Sequence, residues 1–170
     1  MKKIIFISAI FILALRCFAE NLFGYWQIDF SGTKNPQTAL LIYEYNNLVF
    51  GKVVAIYNEK GEIIDTPALK INKATGIANS PALCGLDIIW NLQKSGDKYT
   101  QGTVLNPDTG NTYNCSIWID KATKQLVLRG NLLFFGQDKY LNKVDPNKLK
   151  PACIIKSPKP NIPQISFWSI

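Results

Sequence analysis

From about residue 22 onward the chain reads as short runs in which apolar and polar residues alternate, cut by Gly, Asn, Pro and Ser. Alternation with a period of two puts every second side chain on one face, so such runs form half-buried strands. The first run carries Trp26, Ile28 and Phe30 on one face and Tyr25, Gln27 and Asp29 on the other. Asn46-Asn47 between two runs suits a tight hairpin, because Asn tolerates positive φ. Asn106-Pro107-Asp108-Thr109-Gly110 is a further turn, with Pro setting φ and Gly allowing the left-handed closing residue. Residues 62–83, punctuated by Pro67, Gly76 and Pro81, hold no period and read as a long crossing loop. Eight runs at spacings of about a dozen residues, with almost no helical period, define an all-β chain. An antiparallel meander of that size closes most simply into an eight-stranded up-and-down barrel, since closure leaves no exposed edge.

The two ends differ from this middle. Lys2 and Lys3 precede an apolar run from Ile4 to Leu15, broken only by Ser8, and Cys17 and Ala19 then offer small residues at a cleavage site. That is the build of a secretory signal, and the run is shorter than the ~20 residues a spanning helix needs. Residues 1–19 therefore read as a leader, and the mature chain is expected to be periplasmic or secreted with no transmembrane segment. Residues 20–145 form the barrel domain. Residues 146–170 form a tail with Pro146, Pro151, Pro158, Pro160 and Pro163, and with five lysines between Lys143 and Lys159. Such a segment cannot extend a sheet. It reads as an irregular, disordered end, with docking onto the barrel or a partner as the alternative.

Composition removes whole classes of function. The leader takes three of the 19 Lys and Arg, leaving 16 against 12 acids and a net charge of +4 on the mature chain. Its only arginine is Arg129, and arginine forks dominate phosphate and base-edge recognition, so no nucleic-acid partner is expected. The chain has no histidine, which removes the usual general base and the commonest transition-metal ligand. No nucleophile elbow or metal-ligand spacing occurs either, so catalytic residues, metal and cofactor are expected to be none. Three cysteines outlast the leader, Cys84, Cys115 and Cys153, and an odd count in an oxidising compartment suggests one disulfide and one leftover thiol. Cys84 shares the inward parity of Ile88 and Trp90, and Cys115 that of Tyr113 and Ile117. A bond between Cys84 and Cys115 would close a loop of about 30 residues and contribute roughly 3–4 kcal/mol. Two buried free thiols are the alternative.

Gly24-Tyr25-Trp26 at the start of the first strand resembles the Gly-x-Trp of lipocalin-type barrels. There the indole lies across the closed end beneath a cation from the last strand, a place that Lys143, or Arg129 on the strand before, could fill. A longer resemblance lies in the middle. Leu83-Cys84-Gly85-Leu86, Gly102 to Pro107 with Gly110 and Tyr113, and Leu126-Val127-Leu128-Arg129-Gly130 together resemble domain-of-unknown-function family 2147 over about residues 22–145. Those are exported bacterial proteins that resemble lipocalins in fold. The sequence departs where the family closes on Trp-x-Arg, since Tyr140 and Lys143 stand there, and the family's acidic-Asn-Pro stretch is spread across Asp65 to Pro81. The resemblance implies a fold and a compartment, not a reaction.

Tyr43, Tyr45, Tyr57, Trp90 and Tyr113 are read as inward-facing, first as core and then as the lining of a ligand site, where tyrosine hydroxyls suit an amphipathic guest. The expected function is therefore binding of a small apolar or amphipathic ligand inside the barrel. The alternative is a solid barrel that binds an envelope protein through its surface or tail.

Overall fold

A computed structural model describes residues 21–28, 37–132 and 135–165. Residues 1–19, read above as a leader, Phe30 and the tail beyond residue 165 lie outside the described residues. The strands are β1 (Gly24–Ile28), β2 (Thr38–Tyr45), β3 (Leu48–Tyr57), β4 (Ile63–Asp65), β5 (Asp87–Ser95), β6 (Lys98–Leu105), β7 (Thr112–Ile119), β8 (Leu126–Leu132) and β9 (Phe135–Lys143). Eight of them form a closed antiparallel ring: β1 pairs with β2 on one side and β9 on the other, and β2 pairs with β3. The three-residue β4 stands outside the ring as a hairpin on β3. Asn46 and Asn47 take φ of 50° and 62° in the β2–β3 turn, the left-handed pair that a tight hairpin requires.

The barrel is filled at one end. Trp26, Leu40, Val53, Ile89, Ile117, Leu126 and Leu141 are essentially inaccessible and pack into one core. Gly51 fits between Ile89 and Ile42, where a Cβ would stand about 3.0 Å from Ile89. That half is solid, as a barrel of eight strands can be when side chains fill it.

Residues 66–83 make no long strand, and one carboxylate organises their start. Asp65, wholly buried, accepts backbone N–H groups from Thr66, Ile71 and Asn72 at 2.7–3.1 Å, and the Asn72 amide as well. Further along, the Gly76 N–H donates to Pro107 O, so the crossing loop lies on the β6–β7 turn. A Cβ on Gly76 would collide with the backbone of residues 108–110, which is why a glycine stands there.

The tail docks. After two 3-10 turns at Pro146–Lys148 and Pro151–Cys153, Leu149 and Cys153 are buried in the same core cluster as the barrel. Lys150 Nζ donates to Ile63 O, Ile155 N to the Tyr25 hydroxyl, and Asp87 N to Asn161 O. This segment covers the outer wall around β1, β2 and β3. It explains why six consecutive residues of β2, Thr38 to Tyr43, are buried. A strand covered on both faces loses its alternation.

Candidate functional site

Opposite the packed half, the barrel opens into a cup with a cavity volume of about 1180 Å³. Cross-strand partners share a face, and four registered pairs build its wall: Thr38 with Ile56, Val104 with Tyr113, Leu128 with Lys139, and Gly130 with Gln137. Leu83, Leu105, Pro107 and the ends of the loops at Tyr57–Glu59 and Asn106–Asp108 form the rim. The wall is therefore largely apolar, with Tyr113, Gln137 and Lys139 as polar points inside it. Gly130 leaves room there, since among the described residues an added Cβ would meet only Val104, at 3.8 Å.

The aromatics expected to line this space divide. Tyr57 and Tyr113 do line it. The Tyr57 hydroxyl accepts from Gln27 Nε2 at 3.0 Å, and burial pushes its pKa up, with the Gln27 bond opposing. Tyr43, Tyr45 and Trp90 do not line it, which corrects the reading of their faces. Tyr43 stands opposite Phe50 on the outer wall, stacked on it at 5.6 Å, and Tyr45 is exposed. Trp90 pairs with Thr103, one step from the Ile89–Val104 pair that faces inward. The reason is local: Asn91, at φ 59°, interrupts β5 and resets its alternation, so Leu92 returns inward although Trp90 points out.

At the closed end Trp26 pairs with Lys143 across β1 and β9, and Lys143 Nζ lies 5.4 Å from the indole centroid. The indole Nε1–H donates to Leu22 O at 2.8 Å, and Lys143 Nζ donates to Asn21 O at 3.3 Å. Gly24 holds φ of 123°, a conformation closed to most side chains. Arg129 is not part of this closure. It sits one residue past the inward Leu128 and so faces outward, 5.2 Å from the Trp118 ring and paired through two hydrogen bonds with Asp138.

Cys84, Cys115 and Cys153 are all buried free thiols in the structure, and the expected bond between Cys84 and Cys115 is absent. Cys115 lies inside the barrel between Gly102 and Gly130, and burial alone pushes its thiol up to about 12. Cys84 precedes β5, outside that wall, where burial and the nearby Asp65 carboxylate push its thiol up. The strand β6 stands between β5 and β7 in the ring, so no short path joins them.

Sequence reasoning missed one polar cluster altogether. Lys52 and Asp87, side chains 5% and 0% exposed, form an ion pair of 2.8 Å on the outer wall. The Tyr43 hydroxyl donates to the second carboxylate oxygen at 2.9 Å. Burial, then the Asp87 charge, push the Tyr43 hydroxyl far above its ordinary pKa, so it stays a donor. Lys52 also donates to Gly85 O and to Lys159 O of the tail. A lysine inside the apolar run Phe50 to Val54 was the available signal. Among the described residues no group of three or more metal-ligating side chains occurs, and no helix is long and apolar enough to cross a membrane.

The model of a family described as uncharacterised proteins conserved in bacteria, DUF2147, matches residues 24–143. The chain belongs to that family. The match covers the barrel from Gly24 to Lys143, both ends of its closure included. No curated protein matches the sequence. Among solved structures, a Helicobacter pylori protein, HP1028, described as belonging to the lipocalin family, shares the fold with a TM-score of 0.59. The two are 15% identical, over 75% of this chain and 86% of the other. This DUF2147 domain is thus a lipocalin-like closed barrel, the fold class read from its sequence.

Proposed function

We propose that the protein is an exported binding protein that takes a small apolar or amphipathic molecule into the open half of its barrel. The cup of about 1180 Å³ carries this reading. A wall of Ile56, Val104 and Leu128 with a few convergent polar groups is the usual make-up of a small-molecule pocket. Apolar parts of a guest would lie on that wall, while Tyr113, Gln137 and Lys139 would meet its polar part. The solid half below limits the guest to the upper barrel. The lipocalin-like fold and the signal-like first nineteen residues support the same picture, and no catalytic step is part of it. Native mass spectrometry of protein purified from its own cells, under conditions that keep guests bound, tests it. A retained small molecule, lost when Gly130 is replaced by Phe, is the expected result. A barrel that arrives empty, and stays empty with fluorescent acyl probes, would overturn it.

A further inference from the structure

We propose that Cys84 and Cys153 form a disulfide that fastens the C-terminal tail to the outer wall of the barrel and leaves Cys115 as the single free thiol. The proposal rests on the reading that the chain is exported, because disulfides persist in oxidising compartments.

The hydrogen bonds that bring the tail to the Cys84 position are independent of the chemistry of the cysteines. Lys150, at the start of the turn that carries Cys153, is bonded through its Nζ to Ile63 O on β4 at 3.2 Å. Asp65, at the other end of β4, accepts from Asn72 N, and Asn72 O in turn accepts from the N–H of Leu83, the residue before Cys84. Eight residues beyond Cys153, Asn161 Nδ2 donates to Gly85 O at 2.9 Å, the residue next to Cys84. The tail therefore meets the barrel on both sides of the Cys84 position, and Cys153 is buried between those two anchors. Burial and the Asp65 carboxylate push the Cys84 thiol up, and Cys153 stands near enough to add to that shift. Cys115 is separated from both by the barrel wall, since its neighbours across β7 are Gly102 and Gly130.

Both thiols are buried, and burial pushes each of them up, so neither is a good nucleophile once the tail has docked. Oxidation belongs to the stage before docking. A thiolate from one cysteine attacks a small-molecule or protein disulfide and displaces one thiol. The second cysteine then attacks the mixed disulfide, expelling the other thiol, so two cysteine thiols become one disulfide and the oxidant leaves as two thiols. Docking afterwards shields the bond from reductants.

The test refolds reduced full-length mature chain in a buffer of reduced and oxidised glutathione, alkylates free thiols and maps the peptides without reduction. A peptide pair joined through Cys84 and Cys153, with Cys115 alkylated, is expected. Three alkylated cysteines, or a bond that includes Cys115, would overturn the proposal. Urea unfolding gives a second reading. The midpoint of wild type and of Cys115→Ser should fall when a reductant is added, and that of Cys153→Ser should not respond. If the bond forms in glutathione but is missing from protein taken from its own cells, the export reading fails and the pairing stands.

Discussion

Lys52 and Asp87 face each other at 2.8 Å on the outside of a barrel wall, almost entirely shut away from water. Their burial depends on the tail: Asp87 also accepts the Asn161 N–H, and Lys52 also donates to Lys159 O. The pair is a clamp for a main-chain segment, which the prolines at 158, 160 and 163 help hold extended.

Replacing Lys52 by Met leaves the Asp87 carboxylate buried without its cation. Breaking one side of a buried pair costs about 3–5 kcal/mol. Urea unfolding should show a loss of that size, and limited proteolysis should show faster cleavage within residues 150–165. A loss below about 1 kcal/mol, the range of an exposed pair, would show that water reaches the clamp.

Trp26 and Lys143 should contribute unequally. Trp26→Ala removes a buried indole and should cost about 3–5 kcal/mol. Lys143→Ala gives up a partly exposed cation–π contact and should cost only about 0.5–1 kcal/mol. Chemical denaturation of both variants checks the order, and a larger loss for Lys143→Ala would be incompatible with the closure described.

Gly130→Phe should keep the fold and fill the cup. Among the described residues nothing stands closer to a new Cβ at Gly130 than Val104 at 3.8 Å, so a ring can enter the cavity without displacing their backbone. Circular dichroism and the urea midpoint should stay near wild type while guest binding is lost. Unchanged binding would place the guest elsewhere.

Acid should weaken the protein through specific carboxylates. Burial pushes the Asp65 carboxyl up, but hydrogen bonds from Asn72, Ile71 and Thr66 outweigh it and hold it below its ordinary value. The hydrogen bond from Arg129 likewise lowers Asp138. A carboxyl with a depressed folded-state pKa contributes stability that is present above its unfolded value, about 3.9. That contribution is lost as pH falls through the lower folded value. Stability measured from pH 6 downward should drop below about pH 4. Asp65→Asn should be weaker at pH 6 and show a shallower acid limb. An unchanged limb would mean that other groups set it.

The alternation of short runs by itself determined the all-β class, the ring of eight strands and the inward direction of Trp26, because a period of two needs only neighbours along the chain. It also placed Tyr113 and Cys115 correctly, on a strand whose alternation has no left-handed break. Tertiary structure alone decided the rest. Trp90 faces outward because Asn91 takes a left-handed φ, a single-residue event that leaves no mark on the hydrophobic pattern. Tyr43 reads as interior because the tail buries the outer wall, and a wall buried on both sides has no polar face to reveal its direction. Arg129 left the closure because its neighbour Leu128 points in. The clamp of Lys52, Asp87 and Asn161 joins residues up to 109 positions apart. Contacts of that range depend on where the tail lands, and local pattern carries no information about that.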